Sequence, residues 1–311
     1  MKQFLVDLII CPSCLPLENK MELNVFDKED DDIIKGKFKC SDCGAKYEII
    51  DGIALLLPDF CLPDFDSQYE NTLSISSYLW SHYGDVMQDK DATSAYKKWS
   101  EQIKCDSGIS IDIGCAAGRM TFELGAGSNF AVGIDTSVGL IKQARALMQK
   151  KNITFPLPVE GLLNEYRVIH LPDSWKPEQV EFVVADALYL PFAANSFSNL
   201  TSLNIIDKVF SPVLHFKEIN RIAKKNGASL LFSDPFSWSE NITDSKNWLG
   251  GTTKGKFCGR GIENIVSIMQ GEHSIFNPSL EIESKGFVWW KIRKHENLFE
   301  LIKSFYLNAK R

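Results

Sequence analysis

Through the later two-thirds of the chain, short apolar runs alternate with longer amphipathic stretches. Runs at 109–113, 130–134, 180–185, 200–205 and 228–233 are dense in Val, Ile, Leu and Phe and predict strands. Helical spacing of apolar residues at 118–124, 138–150 and 212–225 predicts helices, with Gly227 as a stop signal. Strands alternating with helices in this order predict an α/β fold, a parallel sheet with helices on both faces. Near the end, 279–283 and 298–307 read as two late strands, the last antiparallel and at an edge, although helix also fits the latter. Residues 61–104 read as mostly helical and polar, with aromatics at Tyr69, Tyr78, Trp80, Tyr83, Tyr96 and Trp99. The organisation expected is a small module at 1–60, a helical linker or lid at 61–104 and a main domain at 105–311.

Composition narrows the class. At 44% hydrophobic and 24% charged residues over 311 positions, the chain is ordinary globular protein of about two domains. No apolar run reaches the ~18–20 residues of a membrane helix, and residues 4–10 lack the features of a signal peptide. A cytoplasmic location and no membrane partner are therefore expected. The net charge of −6 advertises no basic face, which speaks against nucleic acid as a partner.

Half of the eight cysteines fall into two C-x-x-C pairs, Cys11–Cys14 and Cys40–Cys43. Each spacing lets a tight turn aim two sulfurs at one ion, and two such turns close a four-thiolate shell suited to structural Zn²⁺. All four ligands come from the protein, so no coordination position is left for catalysis. Gly44 fits a turn needing positive φ. A hairpin is expected between the pairs, with the acidic run 27–32 solvated at its tip. Residues 1–60 hold seven Lys against twelve Asp and Glu, which favours a scaffold or protein-contact role over RNA binding. The pairs, together with Asp51-Gly52-Ile53, resemble the zinc-ribbon module of the small activator proteins that accompany several methyltransferases. Cys61, Cys105 and Cys258 read as ordinary small side chains.

Asp112-Ile-Gly114-Cys115-Ala116-Ala-Gly118 follows the first main-domain strand and opens a helix. Gly114 permits a tight turn and Gly118 a close helix–strand approach. Asp135 ends the next strand, where a carboxylate can accept from both hydroxyls of a ribose. A dinucleotide fingerprint needs G-x-G-x-x-G, but Ala116 and Arg119 stand at its later positions, so a nicotinamide dehydrogenase is disfavoured. Asp112-x-Gly114-x-x-x-Gly118 instead resembles the first motif of class I S-adenosylmethionine (SAM) methyltransferases. Asp186-Ala187 within Val183–Phe192 resembles that family's third motif, whose acid reads the adenine amino group. An acid is common where Ser198 stands, and there this chain departs. The resemblance implies a Rossmann-like class I methyltransferase sheet, and SAM held by Asp112, Gly114, Cys115, Ala116, Gly118, Asp135, Thr136, Asp186, Ala187 and Asn204.

A finer resemblance covers about residues 69–311. Its carriers are Tyr78-Leu-Trp-Ser-His82-Tyr83-Gly84, Asn204-Ile-Ile-Asp207-Lys208, residues 233–238, Trp248-Leu-Gly-Gly251 and residues 292–296. Together these look like the methyltransferase domain of ovothiol biosynthesis, which methylates an imidazole nitrogen of 4-mercaptohistidine. A zinc ribbon stands where the fused enzyme carries its sulfoxide-synthase portion. The likeness implies a small-molecule substrate, with an imidazole nitrogen of a thiol-histidine-like compound as acceptor. Asn204, Asp207, Tyr78 and His82 become candidate catalytic residues. Tyr78 and His82, at i and i+4, should share a helix face over the strand ends. Trp238, Trp248 and Tyr83 read as packing, and His170, His215 and His273 as structural or surface residues. Arg293 and His295 rest on the family likeness alone. Two other readings stay open: an RNA methyltransferase contacting its substrate through the zinc module, and a non-catalytic SAM-binding partner protein.

Overall fold

The computed structural model describes residues 1–58, 60–61, 69–105 and 107–311. The part of the expected linker at 62–68 lies outside the described residues. Four strands build the amino-terminal module: β1 (Met21–Glu29), β2 (Asp32–Cys40), β3 (Lys46–Ile50) and β4 (Ile53–Leu56), each antiparallel to the next. The expected hairpin between the cysteine pairs is β1–β2. The β3–β4 turn is Asp51-Gly52, with φ of 51° and 75°. Two successive left-handed residues make the tight turn that matches strand twist, which accounts for Asp-Gly at this point.

Two helices follow, α1 (Thr72–Tyr83) and α2 (Ala95–Ser100); Asn71 caps α1 by accepting from the Ser74 N–H at 2.8 Å. The main domain then runs β5 (Ile109–Ile113), α3 (Arg119–Gly127), β6 (Phe130–Asp135), α4 (Val138–Lys150), β7 (Asn152–Glu160), β8 (Leu163–His170), β9 (Val180–Ala185), β10 (Asn199–Leu203), α5 (Pro212–Ile222), β11 (Ser229–Asp234), α6 (Gly261–Met269), β12 (Glu281–His295) and β13 (Leu298–Lys310). β9, β6, β5, β10 and β11 lie parallel in that order and are buried on both faces. One face packs Phe216, Ile219 and Ile222 of α5 with Ile265 and Ile268 of α6; the other packs Trp80, Trp99, Phe122, Ile141 and Leu147. This is the expected Rossmann-like sheet, with helices on both faces.

The module is not a separate body. β4 lies parallel to β9, pairing Leu55 with Val184 and Leu56 with Ala185, so one eleven-stranded sheet runs through both parts. Arg145 of α4 fastens the same seam. Its guanidinium reaches Asp32 on β2, Glu181 on β9 at 2.6 Å and the Asp51 carbonyl at 3.1 Å. Asp32 was expected to be merely solvated; it is instead an ion-pair partner. Burial alone would raise its pKa, but Arg145 and the neighbouring Met1 ammonium hold it below the ordinary value.

Three further expectations are corrected, and one element appears that none anticipated. The edge strand is β12, and β13 lies inside it, antiparallel to both β11 and β12. The burial pattern gives the reason: Leu307, Asn308 and Ala309 are buried, whereas Phe287 and Trp289 of β12 are exposed. The region at 152–170 is a hairpin that the apolar pattern did not announce. Helix α5 stops at Ile222, because Lys224 N–H turns to donate to the Phe197 carbonyl at 2.9 Å. Gly227, at φ 75°, therefore belongs to the following turn and not to the helix end. Among the described residues, no helix is long and apolar enough to cross a membrane.

Candidate functional site

β5, β6, β9 and β10 stop along one edge of the sheet, and the loops that follow them enclose a cavity of about 810 Å³. Helix α1 and the β12–β13 pair form its other wall. This is the crevice beyond the carboxyl ends of parallel strands, where open α/β sheets bind ligands.

The turn after β5 forms the floor. Gly114 has φ 78°, and a Cβ there would meet Ile205 Cδ1 at 2.7 Å. Glycine is required both for the backbone angle and for the approach of the β10 loop. Ala116, at φ 45°, donates its N–H to Asp135 Oδ2 at 2.9 Å, and Ser137 N–H donates to Asp135 Oδ1 at the same distance. The β6 carboxylate is thus held by two backbone donors on the rim of the turn. Burial raises the Asp135 pKa, and those N–H groups oppose the shift. Asp186, just past β9, accepts from the Leu188 N–H at 2.8 Å; burial raises it too.

The loop after β10 supplies the next group. Asn204 sits at φ 58°, a conformation Asn tolerates better than most residues, and its Oδ1 is buried with no partner among the described residues. Asp207 is buried; its Oδ2 accepts from the Ser237 N–H at 2.7 Å, and the Lys208 ammonium lies 3.2 Å from Oδ1. Asp234, on β11, accepts from the Ile206 and Phe236 N–H groups and so shapes this loop from below. Burial, then the nearby Asp207, push Asp234 well above the ordinary carboxylate range. On the opposite wall the Tyr78 and His82 rings stand 6.0 Å apart on α1, and His82 Nε2 bonds Tyr96 Oη at 2.7 Å. Burial, with a smaller contribution from Arg119, lowers His82 to about 3, so its ring is neutral.

A second cluster lies in the amino-terminal module. The sulfurs of Cys11, Cys14, Cys40 and Cys43 all fall within 4.8 Å of one another. Cys11 is 3.6 Å from Cys43, and Cys14 is 3.8 Å from Cys40. A tetrahedron of thiolates with metal bonds of about 2.3 Å has edges of about 3.8 Å. A disulfide would need about 2.05 Å, so these are thiols in the arrangement of a metal shell. Tyr47 Oη reaches Cys11 Sγ at 3.3 Å and Ser13 Oγ at 2.7 Å, a supporting contact behind one ligand.

Residues 111–231, the span containing this turn and these strand ends, match the family model described as a methyltransferase domain. Residues 111–231 thus form a methyltransferase domain. No curated protein matches the chain. Among solved structures, a SAM-dependent methyltransferase from Methanosarcina mazei is 18% identical with a TM-score of 0.43, covering 67% of this chain and 94% of that one. A chain of the complex between the Haloferax volcanii Trm112 methyltransferase activator and a methyltransferase is 15% identical at TM-score 0.42, covering 75% and 96%. The [4+2]-cyclase SpnF is 12% identical at TM-score 0.45, covering 78% and 97%.

The cavity gathers Gly114, Ala116, Asp135, Thr136, Asp186, Ala187, Asn204 and Asp207 with Tyr78 and His82 of α1. Three of the expected cofactor residues stand outside its lining. Asp112 is buried within β5, where its oxygens accept from Thr121 Oγ1 at 2.9 Å and Thr201 Oγ1 at 2.8 Å. Those hydroxyls oppose the effect of burial, which raises its pKa to about 6. Cys115 is buried beneath the turn. Gly118 makes room for the sheet: a Cβ there would meet Phe182 Cε1 at 2.6 Å. Arg293 binds the Pro158 carbonyl at 3.1 Å and so braces the β7–β8 hairpin. Trp238 and Trp248 stack on each other at 6.2 Å, as packing residues. Sequence reasoning missed Ser77 and Trp290 as lining residues. The alternate placing of Val288, Trp290 and Ile292, all buried while Phe287 and Trp289 are exposed, was the available signal for Trp290.

Proposed function

We propose that the protein transfers a methyl group from SAM to a small-molecule acceptor, the acceptor atom being an imidazole nitrogen of a thiol-histidine-like compound. The observation that carries this is the meeting of four groups in one cavity: the Gly114 turn, the strand-end carboxylates Asp135 and Asp186, and the Asn204–Asp207 loop. The residues fit SAM in charge and in shape. The Gly114 turn leaves no side chain beneath a ligand, and no phosphate-cradling glycine pair is needed for a cofactor without phosphate. Asp135 would accept from the two ribose hydroxyls and Asp186 from the adenine amino group. SAM, when bound, supplies a methyl group already activated by its sulfonium.

The protein's task is then alignment and the exclusion of water. The Asn204 Oδ1 and the Asp207 carboxylate are acceptors on the wall beside the turn. One of them would hold the N–H of a neutral imidazole, leaving the lone pair of the other ring nitrogen free to attack. No strong base is required for that step. The volume, about 810 Å³, suits a nucleoside-sized cofactor with a small acceptor beside it.

The same reading gives the amino-terminal cysteines a structural Zn²⁺, held by four thiolates with no open position. The chain is then a zinc-ribbon module at 1–60, a lid at 61–104 and the methyltransferase domain at 105–311. The partner that the ribbon contacts is the domain of its own chain, through β4 and β9.

Incubating the full chain with methyl-labelled SAM and a size-fractionated cell extract tests the acceptor class. Label is expected in the small-molecule fraction. Label confined to RNA or to protein would overturn the acceptor assignment, and SAM binding with no label anywhere would leave a non-catalytic SAM-binding protein.

A further inference from the structure

Four strands have one side unpaired among the described residues: β1 and β12 at the ends of the large sheet, and β7 and β8 in the separate hairpin. Sheet edges invite pairing with other chains, and three of these are blunted. β1 shifts register twice and carries Asp27-Lys28-Glu29 there. β12 has a bulge after Ile282 and bears Lys285, Lys291 and Lys294. β7 holds Pro156 and Pro158, and its Val159 carbonyl already accepts from the Glu296 N–H at 3.2 Å.

β8 has none of these devices. Leu163–His170 contains no proline and no lysine, and the hairpin's bulge falls on β7, at Val159. Its outer side is also apolar: Leu163, Tyr166 and Val168 are 66%, 74% and 42% exposed, and Leu162 at the tip is 97% exposed. Single exposed apolar residues are ordinary, but four within seven positions on one open edge form a patch. The strand is held in place, because Phe155, Leu157 and Ile169 of the hairpin pack in one core with Leu79, Trp80 and Tyr83 of α1.

We propose that β8 is the interface with a second copy of this chain, the two strands pairing antiparallel about a two-fold axis at Tyr166. The charges on the strand select this occupant and this register. Glu165 and Arg167 flank Tyr166 and share a face. With the axis at Tyr166, each Glu165 stands opposite Arg167 of the other copy, so the favourable pair is made twice. Moving the axis to Glu165 sets glutamate against glutamate, and moving it to Arg167 sets arginine against arginine. Both side chains are positioned from within: Arg167 Nη2 lies 3.1 Å from Asp89 Oδ2, and Glu165 Oε1 lies 3.4 Å from Arg293 Nη2. They stay 37% and 41% exposed, so each keeps hydrogen-bonding capacity for a partner across the edge. On the other face Tyr166 meets its own copy and Val168 meets Asn164. The product is a closed dimer whose two hairpins form one four-stranded sheet.

Sedimentation velocity on the full chain, over about 1 to 100 µM, tests this. Dimers are expected to fill in across that range. Tyr166→Lys sets two ammonium groups face to face on the axis and should raise the dimer dissociation constant at least ten-fold, with the circular dichroism spectrum unchanged. Cysteine cross-linking tests the register and serves if that variant folds poorly. Tyr166→Cys should give a disulfide-linked dimer on mild oxidation, since opposed Cα atoms lie about 4.5–5.5 Å apart. Val168→Cys puts its two thiols four residues out of step, about 14 Å apart, and should cross-link no more than the parent chain. A parent chain that stays monomeric at the highest concentration, or a folded Tyr166→Lys that dimerises as the parent does, would overturn the interface. Equal cross-linking of the two cysteine variants would overturn the axis at Tyr166.

Discussion

His215 shows how a buried histidine is fixed in one state. Its Nδ1 lies 3.3 Å from the Ala187 carbonyl, and its Nε2 is 2.9 Å from Ser202 Oγ. The carbonyl can only accept, so Nδ1 carries the proton and Nε2 accepts from the serine. Burial lowers its pKa to about 4. The unfolded chain binds a proton near 6.5 that the folded chain refuses until about 4, so stability is full above 6.5 and falls as pH drops through that window. Urea unfolding at pH 7 and pH 5 should show His215 costing about 2 kcal/mol over that interval, and His215→Gln should remove that part of the slope. His82, lowered further, pushes in the same direction and remains in the variant. In the cavity, Asp135→Ala is expected to weaken SAM binding ten-fold or more with a smaller effect on turnover, as ribose hydroxyls lose their acceptor. Asp207→Asn should do the reverse, lowering kcat with SAM affinity nearly unchanged. Calorimetry beside steady-state rates separates the two, and equal losses in both variants would contradict this division. These strand-end acids were legible because a carboxylate just past a parallel strand has few structural uses. Ser77 and Trp290 were not, because their role depends on α1 and β12 meeting, and nothing in their local sequence announces it.

Among the elements, the four-cysteine module shows what spacing reveals. Both C-x-x-C turns and the hairpin between them were readable, since each thiolate pair must sit on a tight turn. The seam between β4 and β9 was not, because a four-residue apolar strand carries no mark of its neighbour. The β7–β8 hairpin was hidden for a local reason: Pro156 and Pro158 interrupt its alternation, and proline cannot donate to a ladder. If the four thiols hold the proposed Zn²⁺, the ion supplies part of the folding energy of this module. Purified protein should therefore contain one zinc per chain by elemental analysis. Chelation, or Cys40→Ser, should lower Tm by on the order of 10 °C. SAM affinity should fall as well, because β4 supports β9, the strand that Asp186 follows. Unchanged affinity in metal-free, folded protein would show that the seam holds without zinc.

For the whole molecule, Arg145 joins the two parts through a part-exposed pair with Asp32 and a buried pair with Glu181. Glu181, its partner on β9, is fully buried. Arg145→Ala would take away its paired cation and leave it the Lys2 and Phe182 N–H groups as donors, and a loss of about 3 kcal/mol is expected in urea unfolding. Arg145 with Glu181 replaced together by Leu and Met should lose much less, since the cost lies in the unpaired charge. The central sheet of this architecture was legible from alternating strands and helices, whereas its outer order was not. β12 and β13 share an antiparallel pattern, and only the burial of Leu307 to Ala309 decides which of them lies inside.

The continuous sheet has one more consequence. If the polypeptide were produced as two pieces severed within the segment that joins β4 to α1, the larger piece would present the bare ladder of Val180–Ala185, six residues buried in the intact fold. An unprotected apolar edge of that kind recruits other chains. The large piece alone should self-associate, whereas co-expression with the small piece should give a one-to-one soluble pair, the fragment acting as the missing tile of a mosaic.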